Sequence, residues 1–276
     1  MKLLVILLVL ALRRLDGGWP AWLARPDRHQ RWLAALAPGR EGTLGWWLAV
    51  ALPSIVAALL FAWFDGFWGA LATLLLGSLL LLWLVGVESE FRQTDELLVR
   101  GRLNDPEALM KRAEEDFQQP AGEPDQDWFH ALGARLLMRV FNLFSALFWL
   151  CVLGPGAALL LVLNRAWLVR HPRHSDWSRS LDAALSWIPC RLTIVAFALV
   201  GHFAAVLHAV AGRLWRLDDS RELLGVAAGA TLREEVKEAG SVFQAGLDCL
   251  EAMHGLLLRA LAVWLIFIAL WTLLAW

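Results

Sequence analysis

Tyrosine is absent from this 276-residue chain, lysine is confined to Lys2, Lys111 and Lys237, and cysteine to Cys151, Cys190 and Cys249. Three cysteines this far apart make neither a CxxC pair nor a disulfide framework. They read as small buried hydrophobes. Charged residues amount to 18%, against roughly 25% in a soluble domain. The formal net charge is −1, which excludes a global basic field for nucleic acid. No GxxxxGKS/T phosphate loop, GxSxG elbow or HExxH pair occurs. No alternating strand pattern, internal repeat or low-complexity tract is visible either.

What the chain has is apolar surface. Hydrophobic residues make up 59%, tryptophan occurs 17 times, and the mean hydropathy is +0.55. The composition predicts an all-α, polytopic helical membrane protein with about five membrane segments, some of them re-entrant, plus amphipathic cytoplasmic helices. Without tyrosine, tryptophan alone must fill the interfacial aromatic belts.

Leu44–Phe64 and Phe67–Val87 are free of charge and long enough to cross ~30 Å of hydrocarbon. Asp65-Gly66 between them predicts a tight helical hairpin over 44–87. Val140–Asn164 is also charge-free, but Gly154-Pro155-Gly156 interrupts it. Leu192–Gly212 is apolar apart from Thr193, His202 and His208. Ala260–Trp276 is short unless Leu256–Leu258 join it and Arg259 snorkels. The N-terminal run Leu3–Leu12 lacks a small-residue cleavage site and reads as a short, partly inserted helix, with an interfacial helix completing 1–43. The whole chain reads as one membrane domain: polar helical segments at 88–139 and 213–259, membrane segments over 140–212 with a polar connection at 165–191, and a C-terminal membrane helix at 260–276.

Arginine placement bears on topology. If every long stretch crosses, 13–43, 88–139 and 213–259 face the cytoplasm, and Arg165, Arg170, Arg173, Arg179 and Arg191 face the other side. If instead 140–164 turns back at Gly154-Pro155-Gly156 and 192–212 dips in and returns, nearly every basic residue faces one side. Such a turn at membrane depth needs protein around it.

In the polar segments, Asp105-Pro106 predicts an N-cap and first helical position for a helix reaching toward Gln119. Another helix begins near Trp128. Thr231 with Glu234 reads as a capping box ahead of a helix burying Val236, Phe243, Leu247 and Leu250.

Chemistry-bearing groups are few. His171-Pro-Arg-His174-Ser-Asp176 is a loop that Pro172 keeps from helical ligand spacing, so no metal is expected there. His202 and His208 read as hydrogen-bonded histidines of the bundle. Glu88, Glu90, Asp95 and Glu96 follow a membrane segment and could hold Mg²⁺ against a phosphate, though a solvated helix face explains them too. Arg135 and Arg139 stand one turn apart and suit lipid phosphate or simple anchoring. The richest stretch is Ser180–Leu192, in which Pro189 predicts a helix break. Asp182 and Arg191 then suggest a buried pair or an anion clamp.

Several motifs share an order: Ala146-Leu-Phe-Trp149, Leu153-Gly-Pro-Gly156, Asn164-Arg-Ala-Trp167, Leu181-Asp182, Trp187-Ile-Pro-Cys-Arg-Leu192 and Ala198-Leu-Val-Gly-His-Phe203. Over 146–203 their spacing resembles the AmpE family of bacterial inner-membrane proteins, encoded beside the muropeptide amidase AmpD. It is similar, more distantly, to the CobD/CbiB family of cobalamin-assembly proteins. The first resemblance implies a multi-pass inner-membrane regulator or sensor linked to β-lactamase induction and muropeptide recycling. Its partners would be the bilayer and a cell-wall-derived ligand or a cytoplasmic regulatory protein. The second implies an enzyme that forms an amide with ATP. From that pattern the chain departs: Leu136-Leu137-Met138 replaces an acidic stretch, and Trp167 stands where an Asp is expected. The candidate ligand-binding residues are Asp182, Trp187, Arg191, Glu88, Glu90, Arg165 and Trp149. No catalytic residue is assigned and no cofactor is expected, Mg-ATP entering only with the enzymatic alternative. A muropeptide transport component is a further alternative.

Overall fold

The computed structural model describes residues 2–13, 19–25, 27–63, 66–172, 176–216, 220–235 and 241–274. Among the described residues all regular structure is helical. The helices are α1 (Lys2–Leu12), α2 (Ala21–Ala24), α3 (Arg28–Leu36), α4 (Thr43–Ala62), α5 (Gly66–Val85), α6 (Glu90–Arg102), α7 (Pro106–Phe117), α8 (Gln126–Val152), α9 (Pro155–Arg170), α10 (Asp176–Val200), α11 (Phe203–Val210), α12 (Ser220–Glu235) and α13 (Val242–Leu274). Four of these, α4, α8, α10 and α13, are long and apolar enough to cross a membrane, and the interrupted pair α5–α6 would make a fifth. The chain is a multi-pass helical membrane protein.

Two compact units emerge. The first holds Met1–Glu88, Ser145–Pro189 and Phe267–Trp276; the second holds Ser89–Phe144 and Cys190–Ile266.

Local signals account for several boundaries. The Asp105 carboxylate accepts from the Ala108 N–H at 2.9 Å, and Pro106 occupies the first helical position of α7. Gln118, at φ +54°, closes that helix. Gly154, at φ +92°, separates α8 from α9, whose first residue is Pro155. Gly86, at φ +98°, follows α5, and its N–H donates to Leu82 O at 2.8 Å.

Four expectations need correction. Pro189 does not break the chain: α10 runs unbroken from Asp176 to Val200. The apolar stretch Leu192–Gly212 is not one helix, because α10 ends before Gly201-His202 and α11 follows. Thr231 is no N-cap; it lies inside α12, and its hydroxyl donates back to Ala227 O at 3.2 Å. Val236 lies outside the described residues, and so do His174 and Arg173. Finally, 213–259 and 260–276 are not separate at Arg259. α13 carries no proline between Val242 and Leu274 and runs through Arg259, whose guanidinium lies on Gly255 O and Val200 O.

Within the first unit, α3 lies where several helices end. Arg28 Nε donates to Trp83 O at 2.5 Å, and His29 Nε2 lies 3.1 Å from the same oxygen. These are carbonyls that the C-terminus of α5 leaves without helical partners. Gln30 Nε2 donates to Ala166 O at 3.0 Å, and Arg170 donates to Gln30 O at 3.3 Å. Residues 28–40 and 164–171 therefore share one end of this unit. The partition that set Arg165 and Arg170 opposite 13–43 does not hold.

Candidate functional site

The site in the first unit begins with a spacing. Ser178, Asp182 and Ser186 recur every fourth residue of α10, so they line one face. All three are buried. An apolar helix tolerates such a face only if its polar atoms are engaged.

The partners come from α9 and α4. Asn164 Nδ2 donates to Ser178 O at 3.0 Å, the Ser178 hydroxyl donates to Asn164 Oδ1 at 2.6 Å, and Trp46 Nε1 donates to the same oxygen at 3.0 Å. One residue on, Arg165 Nε donates to Asp182 Oδ1 at 2.8 Å and its Nη2 to the Ser186 hydroxyl at 2.9 Å. The two charged side chains retain only 12% and 10% of their exposure. They stand within about two turns of the α9 and α10 ends, close to where α3 crosses.

Trp149 serves the same helix differently. Pro189 has no N–H to offer the carbonyl four residues back, that of Leu185. The indole of Trp149 donates to Leu185 O at 2.9 Å. This is why Pro189 fails to interrupt α10. The device recurs in α4. Pro53 deprives Ala49 O, and Trp32 Nε1 donates to that oxygen at 3.3 Å. The helix there carries a π turn over Trp47–Ala51.

Arg191 belongs to the second unit and does not pair with Asp182. It donates from Nε to Leu214 O at 2.8 Å and from Nη1 to the Ser220 hydroxyl at 2.7 Å, with a further bond to Arg216 O. It fastens the turn between α11 and α12. The geometric reason is simple. Nine residues along one continuous helix is about two and a half turns, which sends Asp182 and Arg191 to opposite faces. Trp187 is half-buried on α10.

The acidic run is dispersed among partners of its own. The Glu88 carbonyl accepts from Arg13. Glu90 is buried in the first turn of α6, where its carbonyl accepts from Thr94 at 2.7 Å. Asp95 faces His254 at 3.5 Å. Glu96 takes Arg112 at 2.6 Å and Arg92 at 3.7 Å. Among the described residues no three His, Cys, Asp or Glu side chains gather closely enough to hold a metal ion.

Other candidates find ordinary roles. Arg135 donates to Phe117 O at 3.4 Å and Gln118 O at 2.8 Å, which close the end of α7. Arg139 lies 4.8 Å over the Phe117 ring and reaches Gln93 Oε1 at 3.4 Å. His202 and His208, expected inside the bundle, are exposed, because α11 is short and amphipathic. Cys151 and Cys190 are buried as expected, and Cys249 is half-buried.

Comparison with known proteins adds one relationship. Over 68 residues the chain is 40% identical to a cobalamin biosynthesis protein CobD of Chromobacterium violaceum. The match covers 22% of this chain and 22% of that relative's length. No protein-family model matches, and no solved structure matches. The chain is thus distantly related to the CobD/CbiB superfamily.

The chemistry of the first-unit site follows from its closure. One guanidinium, that of Arg165, engages both the Asp182 carboxylate and the Ser186 hydroxyl as acceptors. The sequence reading named Arg165, Asp182 and Trp149 but not Trp46, Asn164, Ser178 or Ser186. The four-residue recurrence of small polar residues in an apolar helix could have found Ser178 and Ser186; Trp46 and Asn164 lie on other helices and carry no such signal.

Proposed function

We propose that the chain is a bacterial inner-membrane regulatory or sensor protein of AmpE type, built on a CobD/CbiB-related scaffold and linked to muropeptide recycling and β-lactamase induction. The observation that supports this reading is the closed Arg165–Asp182–Ser186 cluster. An enzyme of amide ligation needs charge presented to its substrates; this cluster directs its charge inward. Its position near the ends of α9 and α10 suits a device that opens when a ligand or partner competes for Arg165. A carboxylate-bearing cell-wall fragment has the chemistry to do so.

The second reading is a membrane enzyme that acts on an amide or amine with ATP. The match to a cobalamin biosynthesis protein favours it. Thermal-shift titration of the detergent-purified protein separates the two. At about 100 times its dissociation constant a ligand adds ~2.7 kcal/mol to a two-state protein. The regulatory reading expects a shift with anhydro-muropeptides that Arg165→Gln abolishes, and none with Mg-ATP. A shift with Mg-ATP, lost in Asp182→Asn, would replace it with the enzymatic reading.

A further inference from the structure

We propose that the α2–α3 end of the first unit is a binding surface for anionic phospholipid headgroups. Its level is set by the helices it covers. Arg28, Gln30 and Trp32 bond Trp83 O of α5, Ala166 O of α9 and Ala49 O of α4. α4 is an apolar helix of membrane length, and α5 is an apolar helix of 20 residues. A segment laid across such helix ends sits where hydrocarbon gives way to water.

The side chains it exposes match that boundary. Trp22 is 53% exposed, Trp32 37% and Trp47 52%, although each is a large apolar ring. Tryptophan at this depth keeps its ring in the acyl boundary and its polar edge among headgroups. Arg25, Arg31 and Arg40 are exposed along the same stretch of chain, and so is Arg170, which donates to Gln30 O. Asp27 is taken by Arg31 at 2.6 Å. Among the described residues, neither Arg25 nor Arg40 has a carboxylate or a hydrogen-bond acceptor for its guanidinium. Glu41, next to Arg40 in sequence, is exposed too, and Arg25, Arg31, Arg40 and Arg170 outnumber Asp27 and Glu41 on a surface that also carries exposed indoles. A zwitterionic leaflet would satisfy the indoles alone; the unpaired guanidinia call for net negative phosphate.

The test uses the full chain in a neutral detergent. Brominated phosphatidylglycerol and brominated phosphatidylcholine are titrated separately, and tryptophan quenching gives the ratio of their binding constants. The native protein is expected to favour phosphatidylglycerol. Each surface arginine is worth about fivefold, so Arg25→Gln/Arg40→Gln should reduce the preference by roughly thirtyfold at this surface. Both side chains are exposed, and the melting temperature should not move. Arg100→Gln/Arg233→Gln, exposed in the second unit, should leave the preference intact. Soluble glycerol phosphate in excess should not compete. Equal quenching by both lipids would overturn the proposal, as would an equal loss in both double variants or full competition by glycerol phosphate.

Discussion

Replacing Trp149 by phenylalanine removes one hydrogen-bond donor and keeps an aromatic ring. The Leu185 carbonyl then loses the N–H that reaches it at 2.9 Å, and Pro189 cannot supply another. An orphaned buried carbonyl costs ~1–3 kcal/mol in water-soluble proteins. Side-chain hydrogen bonds within membrane helices measure lower, near ~0.6 kcal/mol on average. Trp149 is 8% exposed, so the lost half of its ring adds a packing cost. We expect Trp149→Phe to destabilise by about 2 kcal/mol in all, of which about 1 kcal/mol belongs to the carbonyl. The decisive measurement is a double-mutant cycle with Pro189→Ala. Alanine restores the backbone N–H at position 189, and the indole then has nothing to replace. Trp149→Phe should cost about 1 kcal/mol less in that background. Equilibrium unfolding in mixed neutral-detergent and dodecyl sulfate micelles, followed by far-ultraviolet circular dichroism, reads both values. Equal costs in the two backgrounds, within ~0.3 kcal/mol, would refute the substitution of indole for amide.

Two further outcomes follow from single sites. Burial, and next the Arg28 guanidinium, hold His29 down at about 4 from its ordinary 6.5, against the opposing pull of the Trp83 carbonyl. Its contribution to stability is full above pH 6.5 and is lost as the pH falls toward 4, because the unfolded chain takes up the proton first. The loss is at most ~3 kcal/mol and smaller once solvent screening at this half-buried site is allowed for. Melting curves from pH 7 to 4 should fall less steeply for His29→Asn than for the native chain; parallel curves would exclude the effect. Glycine replacements should split by sign. A Cβ at Gly156 would stand 2.6 Å from Ser54 O and 2.7 Å from Ala58 Cβ, whereas one at Gly133 meets nothing within 4 Å. Gly156→Ala should lower stability by ~1–3 kcal/mol, and Gly133→Ala should raise it by ~0.5–1 kcal/mol.

The sequence by itself determined whatever depends on composition and near neighbours. Hydropathy adds up along the chain, so apolar helices of membrane length at 43–62 and in the later segments were legible. The N-cap at Asp105 and the break at Gly154-Pro155 act within a few residues, and they too were legible. What the tertiary structure alone decided were the partnerships across helices. Pro189 looked like a break because its missing N–H is local, while the indole that makes good the loss sits 36 residues away. Asp182 looked like the partner of Arg191 because a presumed break hid the helical phase between them. Once α10 is continuous, the phase faces Asp182 toward Arg165 and leaves Arg191 to fasten the turn before α12. The acidic run at 88–96 kept its residues but lost its apparent unity, since Glu88 O, Glu90 O, Asp95 and Glu96 each take different partners, some on the same helix and some far along the chain. Buried polar groups must find donors and acceptors wherever the fold places them, and that placement is a property of packed helices rather than of spacing along one.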